Sequence, residues 1–176
     1  MARLKLPTIV GNTVEVLGIL FAFCLLLTAS SVLSTSLRFL LYLIAMGAFV
    51  FFPHGLAHYI TGRLVGVRFK YYFLTKSAVS KLKLPLFSTL ANQLPVLGLK
   101  IDRASLRSVS NGRRAVMFAS GAVASMVLPF IVPVASIGRV PLVFSVVLFL
   151  VGAANAAFDL YYSPKAGDIS KIKQSN

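Results

Sequence analysis

The chain has two histidines, His54 and His58, four residues apart. On an α-helix this spacing stacks both side chains on one face, one turn apart, where two imidazoles can reach a single ion. Both fall in an apolar stretch, and ionisable groups in a membrane helix are rare and usually functional because desolvating them is costly. The bland alternative is two interfacial histidines bonded to backbone carbonyls or water. A hydrolytic zinc site takes three protein ligands and keeps a fourth position for water, so a third donor is required. The acids are Glu15, Asp102, Asp159 and Asp168. The lone cysteine, Cys24, is expected to be a small apolar filler.

The elements that must position the pair are membrane helices. Hydrophobic residues make up 57% of the chain and charged residues 12%, with a mean hydropathy of +0.85. Soluble domains average about 45–50% apolar and about 25% charged. Four segments approach the ~20 apolar residues that cross a bilayer: Val14–Leu33, Leu37–Ile60, Ala115–Ser136 and Val140–Leu160. Arg3 and Lys5 precede the first, but its apolar run is longer than a signal-peptide core and no A-x-A site follows, so a retained helix is expected. The expected class is an all-α polytopic membrane protein with four transmembrane helices and a small cytoplasmic β element.

The net charge of +14 is concentrated between the second and third spans, from Arg63 to Arg114. The other two connections carry one basic residue each, Arg38 and Arg139, and the tail carries Lys165, Lys171 and Lys173. The positive-inside rule then places both termini and the 63–114 segment in the cytoplasm, with anionic membrane lipid as the partner of the basic residues. No nucleic-acid motif accompanies the charge, so nucleic acid is not an expected partner. Within the basic segment, Val67–Tyr71 alternates apolar with basic, the period of a half-buried strand, and Val96–Ile101 is a second strand candidate containing Gly98. Pro85 breaks the stretch between them, and an irregular basic loop is the alternative.

Pro53-His54-Gly55-Leu56-Ala57-His58-Tyr59, followed by Arg63-Leu64-Val65-Gly66-Val67, resembles the H-E-x-x-H…G-V stretch of site-2-protease-like intramembrane metalloproteases. The resemblance implies a three-helix core in residues 37–176, preceded by an added N-terminal helix in residues 1–36. Arg113 to Gly121 looks like the start of the family's middle helix, with Ala122 and Ser125 standing where the family has proline and asparagine. Asn155 through Ile169, containing Gly167-Asp168-Ile169, takes the place of the aspartate-bearing motif, with Gly and Asp in reversed order. Zinc held by His54, His58 and Asp168 is what the resemblance implies. Asp168 is favoured over Asp159 because it matches the family position and sits beside Pro164 and Gly167, on a turn. Asp159, one turn beyond Asn155, is expected to support a histidine from behind the ligands. Both acids have a plainer role open to them, pairing with Lys165 or Lys171. Asp102 is expected in a salt bridge.

Gly55 stands where the family has its catalytic glutamate. That glutamate takes a proton from the metal's water, and losing such a base typically removes ~10²–10⁴-fold in rate. The expected function is therefore a non-catalytic relative that holds a metal and binds a transmembrane or peptide partner. An active endopeptidase with an unusual base and a structural subunit of a membrane complex are the alternatives. A Gly55→Glu change is expected to restore the missing group.

Overall fold

The computed structural model describes residues 4–76, 95–165, 167–168 and 170. Arg3, the Lys81–Pro85 stretch, Ile169, Lys171 and Lys173 lie outside the described residues. Four helical segments are long and apolar enough to cross a membrane: Thr8–Ser31, Thr35–Leu64, Asn111–Ser136 and Leu142–Tyr162. The first begins well before the expected Val14. The polar residues that obscured its start are bonded, Thr13 Oγ1 to the Ile9 carbonyl at 2.9 Å and Asn12 Oδ1 to the Tyr72 hydroxyl at 2.8 Å.

Helix α1 (Thr8–Ser31) starts after Pro7 and ends where Val32 turns extended. Its buried positions are Gly11, Glu15, Gly18, Ala22, Leu26 and Ala29. Their spacing of three and four residues makes one stripe, and its small residues let two helix backbones approach closely, as membrane helices require. That stripe packs along α2 (Thr35–Leu64), where Phe52 fills the space beside Gly18 and Tyr42, Ala45 and Phe49 are fully buried. The outward side of α1 is apolar and exposed, including Leu17, Leu20 and Leu27. Cys24 is exposed rather than packed as a filler.

Ser34 caps α2 by accepting from the Leu37 N–H at 3.4 Å. At 1.5 Å per residue its 30 residues extend about 45 Å, longer than a hydrocarbon core of about 30 Å. The helix stops at Gly66, whose φ of +97° is a left-handed conformation that a side chain would resist. The Val67 N–H then donates back to the Gly62 carbonyl at 2.8 Å, closing the end of the helix. At the start of α2, the Arg38 guanidinium donates to the carbonyls of Val32 and Arg139, tying the two short connections together.

A three-stranded antiparallel sheet follows in the order β1 (Lys5–Leu6), β2 (Phe69–Lys76), β3 (Pro95–Ile101). The Val67–Tyr71 alternation marks a strand that starts later and runs further than expected. Val67 is buried with Val109, Met117 and Phe118 instead of lying in the sheet. An irregularity between Phe69 and Tyr71 interrupts the pairing at Lys70, whose ammonium lies 3.7 Å from Asp102. Asp102 also caps the short helix α3 (Arg103–Arg107), accepting from the Ala104 N–H at 3.4 Å. Gly98 lies opposite Phe73, whose ring takes the space a side chain would need.

Helix α4 (Asn111–Val127) continues through a tight turn at Leu128–Phe130 into α5 (Ile131–Ser136), and α6 (Leu142–Tyr162) returns after Pro141. The returning helix leaves Val143, Val146, Phe149 and Leu150 exposed, an apolar outer face suited to lipid.

Candidate metal centre

The fold brings together the two histidines and one of the four acids. His54 and His58 project from α2 with ring centroids 4.8 Å apart. Asp168 lies just beyond α6 on a compact turn, held by the Ser170 N–H on the Ser163 carbonyl at 2.9 Å. Its Oδ2 is 3.0 Å from His54 Nε2 and 3.1 Å from His58 Nε2. One donor atom from each residue lies within 4.8 Å of the others. His58 and Asp168 are largely shielded, whereas His54 is 38% exposed.

Hydrogen bonding on the far side of each ring assigns the tautomers. The Met117 carbonyl can only accept, so the His58 Nδ1 that meets it at 2.7 Å carries a proton. Ser125 Oγ donates its own proton to the Val50 carbonyl at 2.9 Å. It therefore accepts from His54 Nδ1, 3.0 Å away. Both Nε2 lone pairs then face the same carboxylate oxygen. A single divalent ion placed among them would satisfy all three atoms.

The donor set of two imidazole nitrogens and one carboxylate oxygen suits zinc. Tetrahedral bonds of about 2.0–2.1 Å separate donors by about 3.3 Å. Two of the three separations, at 3.0 and 3.1 Å, need to open by only a few tenths of an ångström, and the three donor atoms together lie within 4.8 Å of one another. Gly121 of α4 makes room for the second ring, since a Cβ there would overlap His58 Nε2. A cleft beside the ligands is lined by Gly55, Phe69, Met117 and Phe118, and by Leu97, Gly98, Leu99 and Ile101 of the sheet.

Asp159 stands outside the ligand group, although it is close enough to His54 and Asp168 to interact with both electrostatically. All four histidine ring nitrogens have other partners, so the supporting role expected of Asp159 is filled by Ser125 and the Met117 carbonyl. Asn155 acts one step further out: its Nδ2 donates to the Ser125 backbone carbonyl at 3.0 Å. Lys165, a candidate partner for the acids, lies over the Tyr161 ring at 3.3 Å.

Two functional candidates went unassigned in the sequence. Ser125 appeared only as a departure from the family's asparagine. Glu15 lies on α1, is 2% exposed, and reaches α2 at Gly55. A Cβ on residue 55 would overlap Glu15 Oε1, so Gly55→Glu requires the Glu15 carboxylate to move aside. Glu15 Oε2 lies 3.5 Å from the Tyr72 hydroxyl, which donates to it. Burial, and then the neighbouring Glu15 charge, push the Tyr72 phenol well above its ordinary range.

Set beside known proteins, the chain matches no family model, no curated protein and no solved structure.

Proposed function

We propose that this protein is a membrane-embedded metal centre of the site-2-protease type, holding zinc through His54, His58 and Asp168 and engaging a transmembrane or peptide segment in the adjoining cleft. The observation that carries this reading is the convergence of both bare Nε2 atoms on Asp168 Oδ2, with each Nδ1 held by a separate acceptor. When bound, zinc supplies a Lewis acid that polarises a carbonyl and acidifies a water. The chain's own contribution is to fix the rings, keep the ligands partly shielded and present an apolar wall.

The cleft suits an extended segment. One wall is β3, an end strand in the order of the three described strands; Phe69 of β2 and Met117 and Phe118 of α4 add apolar side chains, and His54, Gly55 and His58 of α2 complete the lining with Asp168. Peptides commonly add to the edge of a sheet, where backbone bonds give affinity and side-chain pockets give selectivity. The basic residues of the 63–114 segment support a cytoplasmic location for this end of the helices and for both termini, with anionic lipid as their partner. On α2 alone, Gly55 provides no proton acceptor, and the segment would be bound without being cut. An endopeptidase is the second reading, favoured by the contact between Glu15 and Gly55.

Metal analysis of the detergent-purified protein tests the centre. Wild type is expected to retain about one zinc per chain, the stoichiometry of a single three-ligand site, and the His54→Ala/His58→Ala double variant none. Equal metal content in the two proteins refutes the metal centre and leaves a membrane subunit with incidental histidines.

A further inference from the structure

The side chain that residue 55 lacks is replaced in space by one from another helix. A Cβ built on Gly55 would overlap Glu15 Oε1 and stand 3.0 Å from Glu15 Cδ and 3.1 Å from Oε2. The carboxylate thus occupies the place where a side chain at position 55 would begin. Gly55 follows His54 directly and lines the same cleft as His54, His58 and Asp168. At about 100° per residue, position 55 points about 80° from the bisector of the two histidines, on the side that Glu15 of α1 approaches.

Several features of α1 serve this placement. Gly11 and Gly18 flank Glu15 on the buried stripe, and each has an aromatic ring where a Cβ would be, Tyr72 and Phe52 respectively. With no Cβ at these positions the helix can settle against its neighbours. Gly55 removes the remaining obstacle on α2. Glycine inside a helix costs about 1 kcal/mol relative to alanine, and here it opens the space that admits a carboxylate from outside. Burying that carboxylate is expensive in turn, and helix-to-helix adhesion alone would be served at less cost by an apolar residue.

We infer that Glu15 is the proton acceptor of this site, supplied from α1 in place of residue 55, and that the bound segment is therefore hydrolysed. The inference rests on the metal-centre reading and replaces its non-catalytic form. In the reaction, a water molecule adds to the carbonyl carbon of the scissile amide and its proton passes to the Glu15 carboxylate. Glu15 then delivers that proton to the amide nitrogen as the C–N bond breaks. The products are a carboxylic acid and an amine, and Glu15 returns to its starting form.

Acetohydroxamic acid tests this without a known substrate, because it ligates a metal while giving up a proton to a neighbouring base. The Co²⁺-loaded protein in detergent micelles is titrated with it and followed by visible absorbance. Glu15→Gln is expected to keep wild-type Co²⁺ affinity and to bind acetohydroxamate about 10–100-fold more weakly, the worth of one charge-assisted hydrogen bond. Unchanged acetohydroxamate affinity in a Co²⁺-loaded Glu15→Gln protein overturns the role of Glu15 and leaves the metal centre standing. Failure of wild type to bind Co²⁺ overturns both. Should Glu15→Gln not fold, the swap of Glu15→Ala with Gly55→Glu decides. Recovered binding upholds the role, and a folded, Co²⁺-loaded swap without recovery refutes it.

Discussion

Ser125→Ala perturbs the centre without touching a ligand. The Ser125 hydroxyl accepts from His54 Nδ1 at 3.0 Å and donates to the Val50 carbonyl at 2.9 Å. Ser125 is 3% exposed, so bulk water does not take over either bond. Losing two bonds of about 1 kcal/mol each predicts about 2 kcal/mol of lost stability. The metal effect is separate: without its acceptor, His54 is free to rotate and to move its proton to Nε2, where it blocks coordination. Groups that support a metal-binding histidine in this way are typically worth 10–100-fold in affinity, or about 1.4–2.8 kcal/mol. The Asn155 bond goes to the Ser125 backbone and survives truncation, so the packing of α4 and α6 is expected to persist. Competition against a calibrated zinc chelator in detergent micelles measures the affinity, with Ser125→Thr as the hydroxyl-retaining control. Equal zinc affinity in wild type and Ser125→Ala would show that the His54 orientation does not depend on this hydroxyl.

Gly121→Ala puts a methyl group where His58 Nε2 now lies. It is expected to weaken zinc binding more than Ser125→Ala does, and wild-type affinity in the same chelator assay would contradict the close approach of α4. Tyr72→Phe removes the 2.8 Å bond to Asn12, for about 1 kcal/mol of lost stability at neutral pH. The Tyr72 phenol is raised in the folded protein, so its stabilising contribution is complete below about pH 10 and declines as pH rises beyond that. The stability gap between wild type and Tyr72→Phe should therefore narrow in alkaline solution; denaturation series that stay parallel from pH 8 to 11 would refute the assignment.

Much of this arrangement could be read from the residues in order. Hydropathy marks the four long helices, and the spacing of His54 and His58 puts them on one face whatever packs around them. The β element was foreshadowed by alternation at Val67–Tyr71, but its limits depend on which residues another element buries. Val67 leaves the sheet because Met117 and Phe118 offer it an apolar pocket. Support for the rings was harder to foresee. One acceptor is the Met117 backbone carbonyl, which no residue pattern announces, and the other is a serine whose role needs α2 and α4 side by side. Glu15 did leave a signal. It is the acid in an otherwise apolar span, and its spacing from Gly11, Gly18 and Ala22 puts it on the face that packs. What the spacing lacks is the depth at which α1 and α2 meet, so its alignment with Gly55 emerged only in three dimensions.

The ligands of this centre are far apart in the order of synthesis. His58 and Asp168 are separated by 110 positions, and the turn that carries Asp168 follows the last membrane helix. At roughly 5–20 residues per second, a ribosome takes about 6–20 s to travel between them. Throughout that interval the histidines are already made while the carboxylate that closes the site does not yet exist. On the proposed metal-centre reading, firm metal binding would have to wait for the turn that follows α6, and metal capture would report that α2 and that turn have come together.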